Sequence, residues 1–515
     1  MLFDFIERLA VVAARNNVQT VYFHNLGRFD GIILMKYFVH RSTYSIKPLM
    51  RNNKLYELVV SRGKKVVFRL KDSINLLSGS LNSLAKTLCP ELGSKGSIPI
   101  KYEDVDVPAL KQYGSELMEY LKQDILLLGG IMHKAQEINW TDYQIDIEDC
   151  LTVSALAMKI FRTCYYDPNT FPIHLPGKNE DKFIRRVWKR DLRDQDLDSL
   201  YGFIEAYVVC PPTMKKPFLP YKEHERLLFP TGRFIGVYFS EELKYARNLG
   251  YKILPLKGYL FEEKASPFGG FVHNHYEKRL EAKKSSHDGL SYVYKILMNS
   301  LYGRFGINPE SKITEICHKD NIESMYNRCG FHSADPLTDD YLMVHFVSNH
   351  PDAPDYEWHP PRISAVQLSA AITAYARIHM YKYISREDCY YTDTDSAFLG
   401  SPLPEEEISS TVLGKLKLEH IVQEGYFVAP KSYGLKTKDN VEIVKQKGAA
   451  KNYVDFEWFK QLYANPSLKK DVTVESLFNV NLSDLQVEQR ESLHQLGINL
   501  NNPKGISSLM RIMYG

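Results

Sequence analysis

The apolar positions of this chain follow a strand period in some stretches and a helical period in others. Val18 to Phe23 is a β-prone apolar run, and it leads through His24-Asn25-Leu26-Gly27-Arg28-Phe29-Asp30-Gly31 into a second one, Ile32-Ile33-Leu34-Met35. That order places Asp30 near a strand end or a helix start. Helical spacing covers about 80–90 and 115–136, and Tyr120 and Asp124 share a helix face at i, i+4. From Arg185 to Asp198 charge is dense and no strand precedes Asp196, whereas Gly202 to Pro211 reads as a strand ended by Pro211-Pro212. Strands dominate from about 203 to 260. A helical pattern returns over Tyr294 to Gly306 and over the Ala-rich stretch Ala365 to Tyr383, which leads into Tyr390-Tyr391-Thr392-Asp393-Thr394-Asp395-Ser396. The last stretch, Asn501 to Gly515, has little pattern.

Two carboxylates separated by one residue are the first chemical signal. In an extended backbone residues i and i+2 point to one face, so a sharp turn at Thr394 lets Asp393 and Asp395 aim at one site. Such a pair can hold magnesium, which takes one or two protein carboxylates, keeps several waters and completes its shell with substrate phosphates. An Asp-x-Asp in a loop also serves merely to hydrogen-bond its own backbone, and sugar-nucleotide transferases use the same pair. The helix of Tyr294 to Gly306 narrows the choice. Lys295, Asn299 and Tyr302 fall at i, i+4 and i+7, one stripe, while Ile296 and Leu297 lie off it and are free to bury. A lysine for a phosphate, an asparagine for paired hydrogen bonds and a ring for a sugar or base suit a nucleoside triphosphate. Gly303 and Gly306 end the helix or admit a close neighbour. Upstream, Arg279 and Lys283 form another i, i+4 basic pair, which alone would read as a solvated surface.

Together these residues resemble the family B DNA polymerases, in the protein-primed organellar and viral branch found on linear mitochondrial plasmids and in plant mitochondrial genomes. Lys295 to Gly303 is similar to that family's motif B, Tyr391 to Ser396 to its motif C, and Pro430-Lys431-Ser432-Tyr433 to the Lys-x-Tyr element that touches the primer strand. Asn25 to Asp30 and Tyr120 to Asp124 resemble the second and third motifs of its proofreading exonuclease. The resemblance implies an α/β and α+β multidomain fold, an RNase H-like 3′–5′ exonuclease domain followed by a right-hand palm, fingers and thumb. Exonuclease-like residues would be 1–165, junction and palm or inserted strands 166–267, fingers 268–306, palm 307–424 and thumb 425–515. It further implies a two-metal magnesium site at Asp393 and Asp395, a triphosphate site at Arg279, Lys283 and Lys295, and sugar and base contacts at Asn299 and Tyr302. Lys431 and Tyr433 would touch DNA. The activity implied is that of a DNA-directed DNA polymerase, a nucleotidyltransferase of DNA replication. Its partners would be template and primer DNA, deoxynucleoside triphosphates and a terminal-protein primer, with no membrane and a monomeric chain.

Two departures from the family pattern stand against this. The exonuclease needs an Asp-x-Glu strand ahead of Asn25, and residues 1–24 contain none, so the expectation is a chain that begins inside that domain and has little exonuclease activity. The palm needs a third carboxylate from motif A, Asp-x-x-Ser-Leu-Tyr-Pro. Asp196-Leu197-Asp198-Ser199-Leu200-Tyr201-Gly202 matches except at Gly202. Either Asp196 is that ligand and Tyr201 the residue under the incoming sugar, or motif A is deleted between about Arg186 and Asp196 and the string only begins the following strand. The charge before Asp196 and the strand after it favour deletion, which would impair catalysis or leave a non-catalytic nucleic-acid-binding remnant.

Composition adds boundaries. A chain of 515 residues, 44% hydrophobic and with no apolar run near the ~18 needed to cross a bilayer, divides into several cores. Its net charge of +3 makes any nucleic-acid surface local, at Arg185 to Arg193, Arg279 to Lys284 or Lys431 to Lys451. Seven scattered cysteines without a C-x-x-C pair point to a reducing compartment. The N-terminus lacks transit-peptide character, so a mitochondrial location implies an organelle-encoded protein.

Overall fold

In the computed structural model the chain forms two compact units, each assembled from separated stretches. The structure describes residues 2–41, 44–98, 100, 107–186, 191–223, 226–262, 265–350, 359, 364–498 and 511–514. The first unit comprises Met1–Asp181, Glu263–Ser369 and Asn479–Glu488, and the second Lys182–Glu262, Ala370–Phe478 and Gln489–Gly515.

A seven-stranded sheet organises the first unit. Its order is Thr20–Phe23, Lys65–Asp72, Lys54–Arg62, Ser45–Arg51, Ser311–His318, Tyr341–Ser348 and Phe331–Pro336. Only the first pair is parallel. The two halves of the sheet join where Met50 and Arg51 pair with Thr314 and Ile313, and the Asn52 N–H donates to the Lys312 carbonyl at 2.8 Å. Alternation buries Leu58 and Val60 on one strand and Phe68 and Leu70 on the next, and Leu55 is buried with them. Ile32 and Met35 of the helix Asp30–Arg41 cover that face, as does Ile6 of the helix Leu2–Arg15, which apolar patterning of the sequence did not single out. The helix predicted at 115–136 runs from Gly114 to Tyr143, and that at 80–90 is Leu81–Leu88. Around the fully buried Phe161 the rings of Tyr166, Phe268, Phe271 and Phe305 stand at centroid distances of 5.5, 5.5, 6.1 and 6.0 Å, which packs the helices Gly269–Lys284 and Asp288–Phe305 into this unit.

In the second unit the strand Gly202–Cys210 lies between Gly232–Phe239 and Lys252–Leu260, antiparallel to both. It stops at Pro211, as its sequence predicts, because proline has no N–H for the ladder. Ala370, Ala371 and Ala374 of the helix Val366–Ile384 pack on Phe203 and Phe239, their small side chains allowing close approach. A second sheet orders Glu442–Gln446, Ser432–Thr437, Val422–Ala429 and Arg511–Tyr514. The lack of pattern expected for 501–515 falls for 501–510 outside the described residues, and Arg511–Tyr514 is an edge strand, held by backbone pairing to Glu424–Phe427 that side-chain pattern does not announce.

Candidate active site

The acidic pair occupies a two-residue hairpin. Cys389–Asp393 and Ser396–Leu399 are antiparallel, Asp393 pairs with Ser396, and Thr394 turns the chain with a left-handed φ of 60°. Asp393 therefore ends a strand while Asp395 lies in the turn, exposed. The Ser396 hydroxyl donates to the Asp393 carbonyl at 3.0 Å and the Thr394 hydroxyl to its carboxylate at 3.2 Å, which holds the turn. Beneath it Tyr391 stacks on Phe427, 5.1 Å and 10° apart, with Tyr433 5.1 Å away. The turn between Ala429 and Ser432 brings Lys431, at a φ of 59°, to the hairpin: its N–H donates to the Tyr391 hydroxyl at 2.7 Å and its ammonium to both carboxylate oxygens of Asp393 at 2.9 and 2.7 Å. Asp393 holds the Lys431 pKa above the ordinary lysine value. Thus Lys431 and Tyr433 do gather at the acidic turn. Oxygen donors of this kind fit magnesium, whose remaining positions water and phosphate fill. Among the described residues no group of three or more His, Cys, Asp or Glu side chains is arranged to hold a metal ion.

Asp196 has a local occupation. Its carboxylate accepts the Asp198 N–H at 3.2 Å and caps the short 3-10 turn Leu197–Ser199, and its carbonyl accepts the Ser199 hydroxyl at 2.7 Å. Tyr201 packs edge-on against Phe239. Gly202 then opens the strand with its N–H on the Ser240 hydroxyl at 3.2 Å. A strand, and no helix, follows the string.

In the first unit the stripe read from the sequence is real. Lys295, Asn299 and Tyr302 are all exposed on the helix Asp288–Phe305, while Val293, Tyr294, Leu297 and Leu301 are buried behind them. Gly306 caps that helix, and a Cβ there would meet the Ser369 hydroxyl at 2.6 Å. Gly303 lies within the helix in open space, so its part in ending the helix is not realised. On the neighbouring helix Lys283 is exposed, and Arg279 is half-buried with its Nε unpartnered among the described residues.

The exonuclease-like residues also cluster, around two groups that sequence reasoning missed. Lys95 bonds Asp124 at 2.9 Å and sits 5.2 Å from the Tyr120 ring. Burial works against its charge, yet hydrogen bonds to Tyr120 and Asp124 raise its pKa. Asp72 is buried and accepts N–H bonds from Asn25 at 2.8 Å, Gly27 at 3.2 Å and Ile74 at 3.2 Å. It therefore locks the loop in which Asn25 adopts a φ of 70°. Burial, then the Asp72 charge, raises the Asp30 pKa, and burial lowers that of His24. Asp72 precedes Ser73-Ile74-Asn75 as a capping residue, a signal available in the sequence. Lys95 lies in an irregular loop and offers none.

A family model for DNA polymerase type B, organellar and viral, matches residues 12–113, 107–189 and 186–389, well over half of the chain. The chain belongs to that family. A probable DNA polymerase of Neurospora intermedia is 27% identical, over 83% of this chain and 53% of its own length. One of Agaricus bitorquis is 26% identical over 95% and 72%, and the DNA-directed DNA polymerase of Enterobacteria phage PRD1 is 24% identical over 89% and 81%. This chain spans about half the length of the first fungal relatives it matches. Among solved structures, phi29 DNA polymerase complexed with primer-template DNA has a TM-score of 0.64 at 16% identity, over 96% of this chain and 93% of that one. The family member described here therefore has the α/β and α+β multidomain fold of exonuclease, palm, fingers and thumb that the motifs imply.

Proposed function

We propose that this chain is a DNA-directed DNA polymerase of the protein-primed type, extending a DNA 3′ end in the replication of a mitochondrial genetic element. The observation that carries the reading is the hairpin tip, where Asp393 and Asp395 flank a left-handed Thr394 with Lys431 and Tyr433 gathered against it, in a chain of this family. In the reaction a primer 3′-hydroxyl, or a terminal-protein hydroxyl, attacks the α-phosphorus of a deoxynucleotide and pyrophosphate leaves. Asp393 and Asp395 are the residues to hold magnesium, which supplies charge neutralisation at the transferring phosphate when bound. Lys431, released from Asp393, is placed to follow a primer phosphate, and Tyr433 packs the platform beneath it. In the other unit the exposed Lys295 and Lys283, with Arg279, are the triphosphate-binding cations, and Asn299 and Tyr302 serve the sugar and base.

Template-dependent incorporation of labelled deoxynucleotide by the purified chain tests this. Incorporation that disappears in Asp393→Ala and Asp395→Ala supports it, and equal incorporation in the variants overturns it. The capping role of Asp196 favours a second reading, a non-catalytic nucleic-acid-binding remnant. That remnant would bind primed DNA equally in wild type and Asp395→Ala and incorporate nothing in either.

A further inference from the structure

The long helix Gly114–Tyr143 ends against both helices of the basic face, and the junction is polar where simple packing would have sufficed. Tyr143 donates its hydroxyl to His275 Nε2 at 2.9 Å, and His275 Nδ1 donates to the Phe271 carbonyl at 2.7 Å. A carbonyl only accepts, so the His275 proton sits on Nδ1. The two rings stack 5.6 Å apart at 14°. One residue earlier, Asp142 Oδ2 accepts both the Tyr294 hydroxyl at 2.7 Å and the Lys278 ammonium at 3.2 Å. That ammonium lies 5.1 Å from the Tyr143 ring centre and 5.7 Å from that of Tyr294.

This joint has an orienting geometry. Phe271, His275, Lys278 and Ala282 fall at i, i+4, i+7 and i+11, the stripe that the helix Gly269–Lys284 turns inward. Each residue tied to Asp142 is the chain neighbour of a proposed triphosphate cation: Lys278 precedes Arg279, and Tyr294 precedes Lys295. Residues adjacent on a helix are about 100° apart, so a carboxylate that pins one fixes the azimuth of the next. Partly exposed ion pairs contribute little to stability, which leaves orientation as the gain from a single oxygen shared between two helices.

We infer that Asp142 is a positioning residue: by holding Lys278 and Tyr294 with one carboxylate oxygen it sets the rotation of both helices about their axes and so aims Arg279 and Lys295 at one triphosphate. The inference rests on the nucleotide-binding reading above. It is tested by fluorescence titration of the full chain with mant-dATP and magnesium, alongside thermal melting. Because a displacement of about 1 Å at such a site costs up to about 100-fold, Asp142→Asn and Lys278→Met should weaken binding by about 10-fold or more, with the fold retained. Lys278→Arg, which keeps the cation, should restore affinity to within about three-fold, a rescue that loss of packing does not produce. Folded Asp142→Asn protein that binds mant-dATP like the wild type overturns the inference. If Asp142→Asn does not fold, Tyr294→Phe decides, since it removes one hydroxyl and no volume: a loss of about three-fold supports the inference, and unchanged affinity overturns it. Wild-type protein that binds no mant-dATP removes the proposed function, and this inference with it, whereas tight wild-type binding with indifferent variants removes the inference alone.

Discussion

Gly202→Pro writes the family's Ser-Leu-Tyr-Pro into this chain, and the strand that opens at Gly202 predicts that the fold rejects it. Gly202 has a φ of +156°, which proline, fixed near −65°, does not reach. A Cβ on this backbone would stand 1.9 Å from the Tyr259 carbonyl oxygen, so the neighbouring strand must withdraw. Withdrawal breaks the Phe261 N–H bond to the Tyr201 carbonyl, 2.8 Å, and proline has no N–H for the Ser240 hydroxyl. Two hydrogen bonds left unmade in and beside the sheet cost about 1–3 kcal/mol each, and the forced backbone a further ~1–3 kcal/mol, so about 3–9 kcal/mol is expected in total. At about 2–4 °C per kcal/mol for a unit of this size, the melting midpoint should fall on the order of 10 °C. Differential scanning fluorimetry reads it, with Gly202→Ala as the variant that keeps the N–H and suffers the clash and the strained φ alone. A Gly202→Pro midpoint within about 2 °C of wild type, accompanied by increased nucleotide incorporation, would refute the reasoning and restore Asp196 as a motif A ligand.

Three further outcomes follow from the geometry. A 5′-labelled single strand incubated with the chain and magnesium should stay intact, because Asp72 is committed to three backbone amides and Asp124 is held through Oδ2 by Lys95; shortening that vanishes in Asp124→Ala would contradict this. Burial pushes the His275 pKa from 6.5 down to about 4, so the unfolded chain gains a proton that the folded one refuses as pH falls through that window. Stability is complete above pH 6.5 and declines by about 3 kcal/mol towards pH 4, and the decline should be shallower in His275→Gln; parallel melting curves for the two proteins would exclude it. Phe161→Ala empties the centre of four rings and should cost about 3–5 kcal/mol, read as a lowered midpoint of chemical unfolding, and a loss below about 1 kcal/mol would mean the cluster repacks.

Local periodicity carried much of this structure. The stripe Lys295, Asn299, Tyr302 was legible because exposed and buried positions separate cleanly at 3.6 residues per turn, with Leu297 and Leu301 behind them. The hairpin at Thr394 was legible from aromatic and β-branched residues on either side of a short acidic turn. Asp72 and Lys95 escaped for different reasons. One looks like any capping aspartate until its fold partners Asn25 and Gly27 are known, and the other sits in a loop without period. A linear reading divides the chain serially, whereas both units are built of three separated stretches, since strand pairing depends on partners hundreds of positions away.

The seam between Ser45–Arg51 and Ser311–His318 bears on how the protein is made. A ribosome releases the first strand with its outer N–H and C=O groups unsatisfied, and its partner emerges only after the intervening helices. At about 5–20 residues per second that interval is on the order of tens of seconds, ample for another nascent chain to pair with the bare edge. Translation speed and chaperone supply, more than equilibrium stability, would then govern how much of this protein reaches its native state in a heterologous host.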